Sequence, residues 1–530
     1  MFKSGEIKSA KFPTTSRSVT TLSLILVAAL LYTASLMYIS GIVALLALSV
    51  LSYVILRTET GNAGFLAGSV FGGATSVFLH YWMIPVVASY AKGNIALGIL
   101  CYLATSIVLA LFYGVQLWFF ILIRLPRHRK YSLIINALLM SALWVLFELV
   151  RAELFSSIPS LTYTAGITQG RNLYLIQPAA FGGVYIISFL LILAACFIAY
   201  AFYLKQWKML IIPAVIFLLQ FSAGFLIYKN IRQELKSSEG KKFSVALILA
   251  GLSPETVWND ESADRLVSHL LSLNNTAVEQ KPDLIVWSET VVPWTYTPED
   301  DFVKLIVEKA KGPGAYTLIG MNSANDQSDI LCNSVYFLNP DGKVGGRYDK
   351  QNLLTLVEKP LFSEKGSMIL PFLSSSGMKM RSGIHNQCIE TPWGRAGMLL
   401  CNESCYSSFL SGSLLKEEAG YLVNMGNDNW FSGLYVARQH FYNDRFRAIE
   451  NRKDMIINNN MGIAGLVKAT GEIAAHYEGK NSGVKFIQVS SNNLTSTRPI
   501  FFFCLIVFIV FLSIAIRILP NFKIHSNTSS

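Results

Sequence analysis

Charge is scarce in this chain. Asp, Glu, Lys and Arg make up only 15% of its 530 residues, against 52% hydrophobic residues. A soluble chain of that length would split into a few domains with solvated surfaces. Here the apolar residues gather in long runs, so membrane spans are the first reading. Cysteine is sparse as well. The seven cysteines show no repeated spacing that would mark a disulfide framework. Cys101, Cys196 and Cys504 sit in apolar runs and read as packing residues, while a Cys388–Cys405 or Cys332–Cys388 bridge stays open. No Gly-rich phosphate loop stands out, no zinc-ligand spacing, and no metal motif among the seven histidines. No cofactor, metal or nucleic-acid partner is therefore expected, and the chain is taken to act as a monomer. The formal net charge of +11 does not argue for nucleic acid, because its clearest Lys/Arg cluster lies in a short loop between apolar runs.

The apolar runs carry the next inference. Residues 20–56 are almost free of charge and too long for one span, so a hairpin breaking near Ser40–Gly41 is expected. Further runs cover 64–90, 95–123, 132–150, 179–204, 209–228 and 499–516, each able to cross a hydrocarbon core of roughly 30 Å. The total is eight. The first run follows Lys3, Lys8, Lys11 and Arg17, as a signal peptide would, but it is overlong and lacks a small-x-small cleavage site. Arg124, Arg127, Arg129 and Lys130 follow the fourth span, Lys205 and Lys208 the sixth, Arg517 and Lys523 the eighth. By the positive-inside rule all share the cytoplasmic side with both termini. The expected division is a bundle of about seven helices over 1–235, an extracytoplasmic domain over 240–490, and a last helix with a cytoplasmic tail over 497–530. Arg151 and Glu153 read as surface anchors just outside the fifth span.

Residues 240–490 change character, and no internal repeat is evident. Runs at 243–250, 283–287, 316–320, 334–338, 395–400, 421–423 and 455–458 read as strands, and 263–274, 301–310 and 439–451 as helices. That alternation predicts an α/β sandwich with a core of its own. Three strand-end residues attract chemistry. Glu289 follows an apolar strand, where desolvation would raise its pKa and suit it to proton transfer. A capping or salt-bridged Glu is the plain alternative. Lys350 could stabilise an oxyanion, or be a solvated loop lysine. Cys401 ends Gly397-Met398-Leu399-Leu400 at a strand-to-helix turn, where a thiol can meet substrate. Taken singly, such a cysteine is usually inert and buried. Cys405, four residues on, is the competing nucleophile. A papain-like pairing of His440 with Cys401 would leave Glu289 and Lys350 without roles.

The order Glu289, Lys350, Cys401 resembles the nitrilase (carbon–nitrogen hydrolase) superfamily, and within it the apolipoprotein N-acyltransferase family. Val286-Trp287-Ser288-Glu289-Thr290 with Pro293 is similar to that family's Trp-Pro-Glu-Thr strand end. Asn333-Ser334, Tyr348-x-Lys350, Cys401-x-Glu403, Asn427-Asp428-Asn429-Trp430-Phe431, Gln439-His440, Arg447-Ala448-x-Glu450-Asn451-Arg452 and Asn459-Asn460-x-Gly462-Ile463 continue in register. In the membrane part, Ala142-Leu143-Trp144-Val145-Leu146-Phe147-Glu148 resembles the fifth span, and Gly182-Gly183-Val184-Tyr185 the sixth. There are departures. The family's Pro-Phe-Gly turn before Glu358 is replaced by Thr355-Leu356-Val357, and Asn402 stands where a tyrosine is usual.

The resemblance implies an αββα sandwich with Glu289 as general base, Lys350 as oxyanion partner and Cys401 as nucleophile, supported by Glu358, Glu403 and Asn402. It implies ping-pong acyl transfer in the bacterial inner membrane. A phospholipid acylates Cys401, and the resulting thioester passes its acyl group to the N-terminal amine of a diacylglyceryl-cysteine lipoprotein. Trp258, Phe372, Leu373, Trp430 and Phe431 are candidates for lipid contact. The apolar stretch 361–380 reads as a lid or arm, or else as a core-packing insertion. Two alternatives remain at this point. One is a membrane-anchored amidase or acyltransferase acting on another amine. The other is a non-catalytic scaffold, against which the retained Glu289, Lys350, Cys401 and Glu358 argue.

Overall fold

The computed structural model describes residues 14–518, apart from residues 92, 130, 239, 254–255, 257–258, 326–327, 356, 360–378, 385–387, 407–418, 432–434 and 498, and apart from a few side chains including that of Trp430. Trp258, Phe372, Leu373 and most of the proposed arm therefore lie outside the described residues.

The helical part runs α1 Thr14–Tyr38, α2 Gly41–Arg57, α3 Gly61–Leu79, α4 Met83–Tyr90, α5 Ile95–Ile123, α6 Ser132–Leu154, α7 Ala179–Leu204 and α8 Ile211–Ser237, with α12 Ile500–Ile518 after the second domain. Seven described helices are long and apolar enough to cross a bilayer. The 17-residue α2 is shorter. At about 1.5 Å per residue it spans roughly 25 Å, near the lower limit for a crossing. With α2 the count reaches the expected eight. The hairpin break falls at Ile39–Ser40, as its sequence suggested.

Two expectations need correction. Residues 64–90 form two helices rather than one span. His80 leaves the helical region (φ −107°, ψ 15°), and its Nδ1 pairs with Ser76 Oγ at 3.0 Å. Two residues on, Trp82 Nε1 donates to the hydroxyl of Tyr435 at 3.0 Å, tying the turn to the second domain. Arg151 is no surface anchor either. It lies within α6 at 3% exposure, donating to the Tyr163 carbonyl at 2.6 Å and to the Tyr113 hydroxyl at 3.3 Å. These oxygens and the two aromatic rings compensate a guanidinium that lipid would not. Elsewhere α3 and α5 pack closely because small residues face the contact. A Cβ on Gly68 would lie 2.1 Å from the Tyr113 carbonyl oxygen.

The second domain contains two sheets. The first has the order β13 (Gly483–Ser490), β1 (Lys242–Leu249), β2 (Leu284–Val286), β3 (Tyr316–Asn325), β4 (Ser328–Leu338) and β5 (Val344–Asp349), with β6 (Lys379–Met380) beside β4. The second runs β12 (Ile473–Glu478), β11 (Ile463–Val467), β10 (Met455–Asn460), β9 (Tyr421–Asn427), β8 (Gly394–Leu400) and β7 (Cys388–Thr391). The central strands β1–β3 and β8–β10 pair in parallel. Side chains of a strand alternate between faces. In β1, Val245, Leu247 and Leu249 enter the core between the sheets, where they meet Met398, Leu400 and Val423. Ala246 and Ile248 point the other way, into a core with helices α9 (Asp260–Glu279) and α10 (Asp301–Lys311). Burial on both faces is why these strands read as continuous apolar runs. Helix α11 (Val436–Asn451) covers the outer face of the second sheet through Phe441 and Ala448. Its Val436, Phe446 and Ile449 join the core of the bundle. The layers are thus helix, sheet, sheet, helix, with α11 shared between domain and membrane part. All seven cysteines are free, so neither open disulfide forms.

Candidate active site

Glu289 follows β2, Lys350 follows β5 and Cys401 follows β8. All three face one cavity of about 610 Å³. Open parallel sheets present such residues at the carboxyl ends of their strands, where backbone no longer committed to the ladder can turn.

The Cys401 turn is strained. Its φ is +52°, a left-handed conformation uncommon for a residue with a side chain, and Thr290 beside Glu289 has φ +47°. Each costs about 1–3 kcal/mol and survives only where neighbours over-determine it. Glu403 is the clamp. Its carboxylate accepts from Leu400 N at 2.7 Å, from Gln351 N at 2.8 Å, from Asn352 N at 3.0 Å and from the Tyr348 hydroxyl at 2.8 Å. One buried side chain thereby binds the chain just past Lys350 to the turn that carries Cys401. Asn402 is 2% exposed and adds a bond from Nδ2 to the Asn352 carbonyl at 3.1 Å. A tyrosine is not needed there to close the same seam.

Lys350 stands between two carboxylates, with Nζ 3.0 Å from both Glu289 Oε1 and Glu358 Oε1. Asn333 Nδ2 donates to the same two oxygens at 2.8 Å each. Glu358 is anchored through Oε2, which accepts from Leu354 N at 2.7 Å. Burial pushes the Glu289 carboxyl above its ordinary range, Lys350 pulls it back, and Glu358 pushes it up again. For Lys350, burial disfavours the ammonium, but Glu289 and Glu358 outweigh it, and the group is held well above the ordinary lysine value. Burial and the Glu289 charge raise the Cys401 thiol well above its usual value, against the pull of Lys350. The Cys401 side chain is therefore a neutral thiol beside a carboxylate of raised proton affinity. That arrangement suits proton transfer during attack rather than a standing thiolate.

The cavity has a second, apolar end. Val86 and Val87 of α4 and Ala104 and Val108 of α5 line it, so one chamber runs from membrane helices to Cys401. Phe431 lines the chamber too and packs edge-on against Trp82, with ring centroids 5.0 Å apart. Among the described residues no cluster of three His, Cys, Asp or Glu could hold a metal ion.

Of the residues singled out in the sequence, Glu289, Lys350, Glu358, Cys401, Asn402 and Phe431 meet in this chamber, and Glu403 braces it from behind. His440 lies on the same wall, but its partners are Asp428 and Cys405 rather than Cys401. In the sequence, Asn333 stands out only as a motif companion of Ser334. Its signal was a buried amide in the middle of an apolar strand, which must find partners.

These features define a class: a carbon–nitrogen-hydrolase-type sandwich whose strand-end cysteine opens onto a multi-pass membrane bundle. Residues 27–197 match the family model described as apolipoprotein N-acyltransferase N-terminal domain, and residues 248–499 match that of carbon–nitrogen hydrolase. An apolipoprotein N-acyltransferase of Geobacter metallireducens is 30% identical over 420 residues, covering 77% of this chain and 78% of the relative. Those of Rickettsia typhi (26% over 455 residues; 81% and 84%) and Nitrosomonas europaea (25% over 440 residues; 81% and 83%) match over similar lengths. The chain belongs to the apolipoprotein N-acyltransferase family.

Proposed function

We propose that the protein moves an acyl chain from a membrane phospholipid to the N-terminal amine of a diacylglyceryl-cysteine lipoprotein, through a thioester on Cys401. The observation that carries this reading is the continuous chamber. Its apolar end, walled by residues of α4 and α5, gives room for an acyl chain whose ester carbonyl reaches Glu289, Lys350 and Cys401. Glu289 takes the thiol proton as sulfur attacks the carbonyl carbon. Lys350 holds the oxyanion, and Glu289 returns the proton to the departing lysophospholipid alkoxide. In the second half, Glu289 takes a proton from the attacking amine and passes it to the departing sulfur as the carbon–sulfur bond breaks, which restores the Cys401 thiol and the Glu289 carboxylate. Glu358 and Asn333 hold Lys350 and Glu289 in place. Apolar walls favour the amine over water by excluding the latter.

The reading places the enzyme in the bacterial inner membrane with both termini cytoplasmic and the second domain periplasmic. Contacts between loop ends support it. Arg124 bonds the Ile55 carbonyl at the end of α2, Arg127 the Tyr203 hydroxyl at the end of α7, and Arg129 the Ile516 carbonyl at the end of α12. The basic loop ends thus share one face. A single chain supplies every group named, so a monomer suffices.

The test is a reaction of purified protein with phosphatidylethanolamine and a diacylated lipopeptide. Free α-amine should gain one acyl chain by mass, and an N-acetylated lipopeptide none. Acylation of the blocked peptide, or hydrolysis of phospholipid with no transfer to the free amine, would point to another acceptor.

A further inference from the structure

The chamber holds a second thiol that the proposed reaction does not use. Cys405 closes the short 3-10 helix that begins at Cys401, and it lines the cavity together with His440 and Asn443. His440 Nδ1 pairs with Asp428 Oδ1 at 2.7 Å, and the imidazole interacts with Cys405 on the same wall of the chamber. Asn443 Nδ2 lies 3.6 Å from the Cys405 sulfur. Asp428 is fully buried, its other oxygen has no hydrogen-bond partner among the described residues, and its charge bears on the imidazole. Cys405 is half-buried and open to the chamber. At about 2.0 Å rise per residue, the two cysteines stand roughly 8 Å apart along their helix, beyond the reach of a disulfide.

We propose that Cys405, His440 and Asp428 form a second nucleophilic centre, which takes up an ester-linked acyl chain independently of Cys401. The Cys405 sulfur attacks the ester carbonyl, and the carbon–oxygen bond breaks. His440, holding the thiol proton, passes it to the departing alkoxide, leaving a thioester on Cys405 and a free alcohol. Asp428 fixes the tautomer and steadies the imidazolium, as a carboxylate does in other thiol–imidazole pairs. The charged or titratable groups facing His440 are Asp428, Cys405 and, one turn along α11, Asp444. Burial disfavours the imidazolium, but Asp428 and Cys405 outweigh it and raise the His440 value well above the ordinary one. The source of the acyl chain rests on the function proposed above; the reactivity of the thiol does not.

Two measurements test this. The first is site-resolved alkylation by iodoacetamide in the wild-type protein, read by tandem mass spectrometry. With His440 acting as its base, Cys405 should be alkylated at least tenfold faster at pH 7 than in His440→Asn, with Cys388 as the internal reference. Equal Cys405 rates in the two proteins overturn the proposal. The second uses Cys401→Ala with phosphatidylethanolamine. A hydroxylamine-labile acyl group should appear on Cys405 and vanish in Cys401→Ala/Cys405→Ala. If wild-type Cys401 is acylated but Cys405 in the folded Cys401→Ala protein is not, this proposal fails alone. If neither cysteine is acylated, the donor reading fails instead, and the alkylation rates still decide whether the second centre exists.

Discussion

Replacing Asn333 by alanine removes two hydrogen bonds from the hub of the site, one to Glu289 and one to Glu358, each 2.8 Å long. A hydrogen bond to a charged group is worth about 1.5–3 kcal/mol. Only the bond to Glu289 acts on the proposed base. At 1.36 kcal/mol per factor of ten, its loss should slow acylation of Cys401 about ten- to a hundredfold near neutral pH. The sign on pH follows from the same contact. Asn333 favours the charged carboxylate, so without it Glu289 holds its proton to higher pH, beyond the rise that burial already imposes. The acidic limb of the rate profile moves up, and the deficit shrinks as pH rises through it. Asn333→Asp, which puts a third carboxylate against the other two, should be worse. The assay is single-turnover formation of the Cys401 thioester between pH 5 and 9, read by mass after acid quench. A variant whose profile parallels the wild type, or whose deficit grows with pH, would refute this role for Asn333 and weaken that of Glu289.

Lys350→Met leaves Glu289 and Glu358 sharing Asn333 without a cation and removes the proposed oxyanion donor. Acylation should fall by about 10²–10³, and thioester formation within threefold of wild type would exclude the oxyanion role. Asp444 is buried, and burial raises its pKa from 3.8 to about 7. Its folded value exceeds its unfolded one, so the native state binds more protons between about pH 4 and 7, and stability falls through that window as pH rises. Asp444→Asn should therefore raise the melting temperature more at pH 8 than at pH 5, and an equal or opposite change would contradict the assignment. Gly68→Ala forces a methyl group against the Tyr113 carbonyl and should cost about 1–3 kcal/mol of stability. An unchanged melting temperature would show that α3 and α5 can separate without loss.

What the sequence disclosed depended on how local the cause was. The strands β1, β2 and β8 declare themselves as short β-branched or aliphatic runs, and Glu289, Lys350 and Cys401 stand where those runs and motifs end. The break between α3 and α4 was hidden because apolar residues continue on both sides, with no Gly or Pro at His80–Trp82. What turns the chain there is Tyr435, more than 350 residues away. Arg151 looked like an interface residue because its oxygen partners, Tyr113 and Tyr163, come from elsewhere in the chain. Strand β13 escaped notice because its register is set by pairing with β1 at the far end of the domain, not by its own half-exposed sequence. The cysteine that His440 faces is hidden in the sequence for the same reason. Sequence gives its distance along the chain from Cys401 and Cys405, but only the packing of α11 on the 3-10 helix decides which thiol it meets. Asn402 shows the reverse. Its departure from the family tyrosine was plain in the sequence, yet its bond to Asn352 holds the seam beside Cys401.

In the proposed reaction Cys401 carries the acyl group between two substrates. The most direct test loads the protein with phospholipid in a single turnover, removes excess donor, and follows the isolated Cys401 thioester after a diacylated lipopeptide is added. The thioester should decay as the N-acylated lipopeptide appears, mole for mole, and Cys401→Ala should form no product. A thioester indifferent to the lipopeptide, or product made at wild-type rate by Cys401→Ala, would contradict that role.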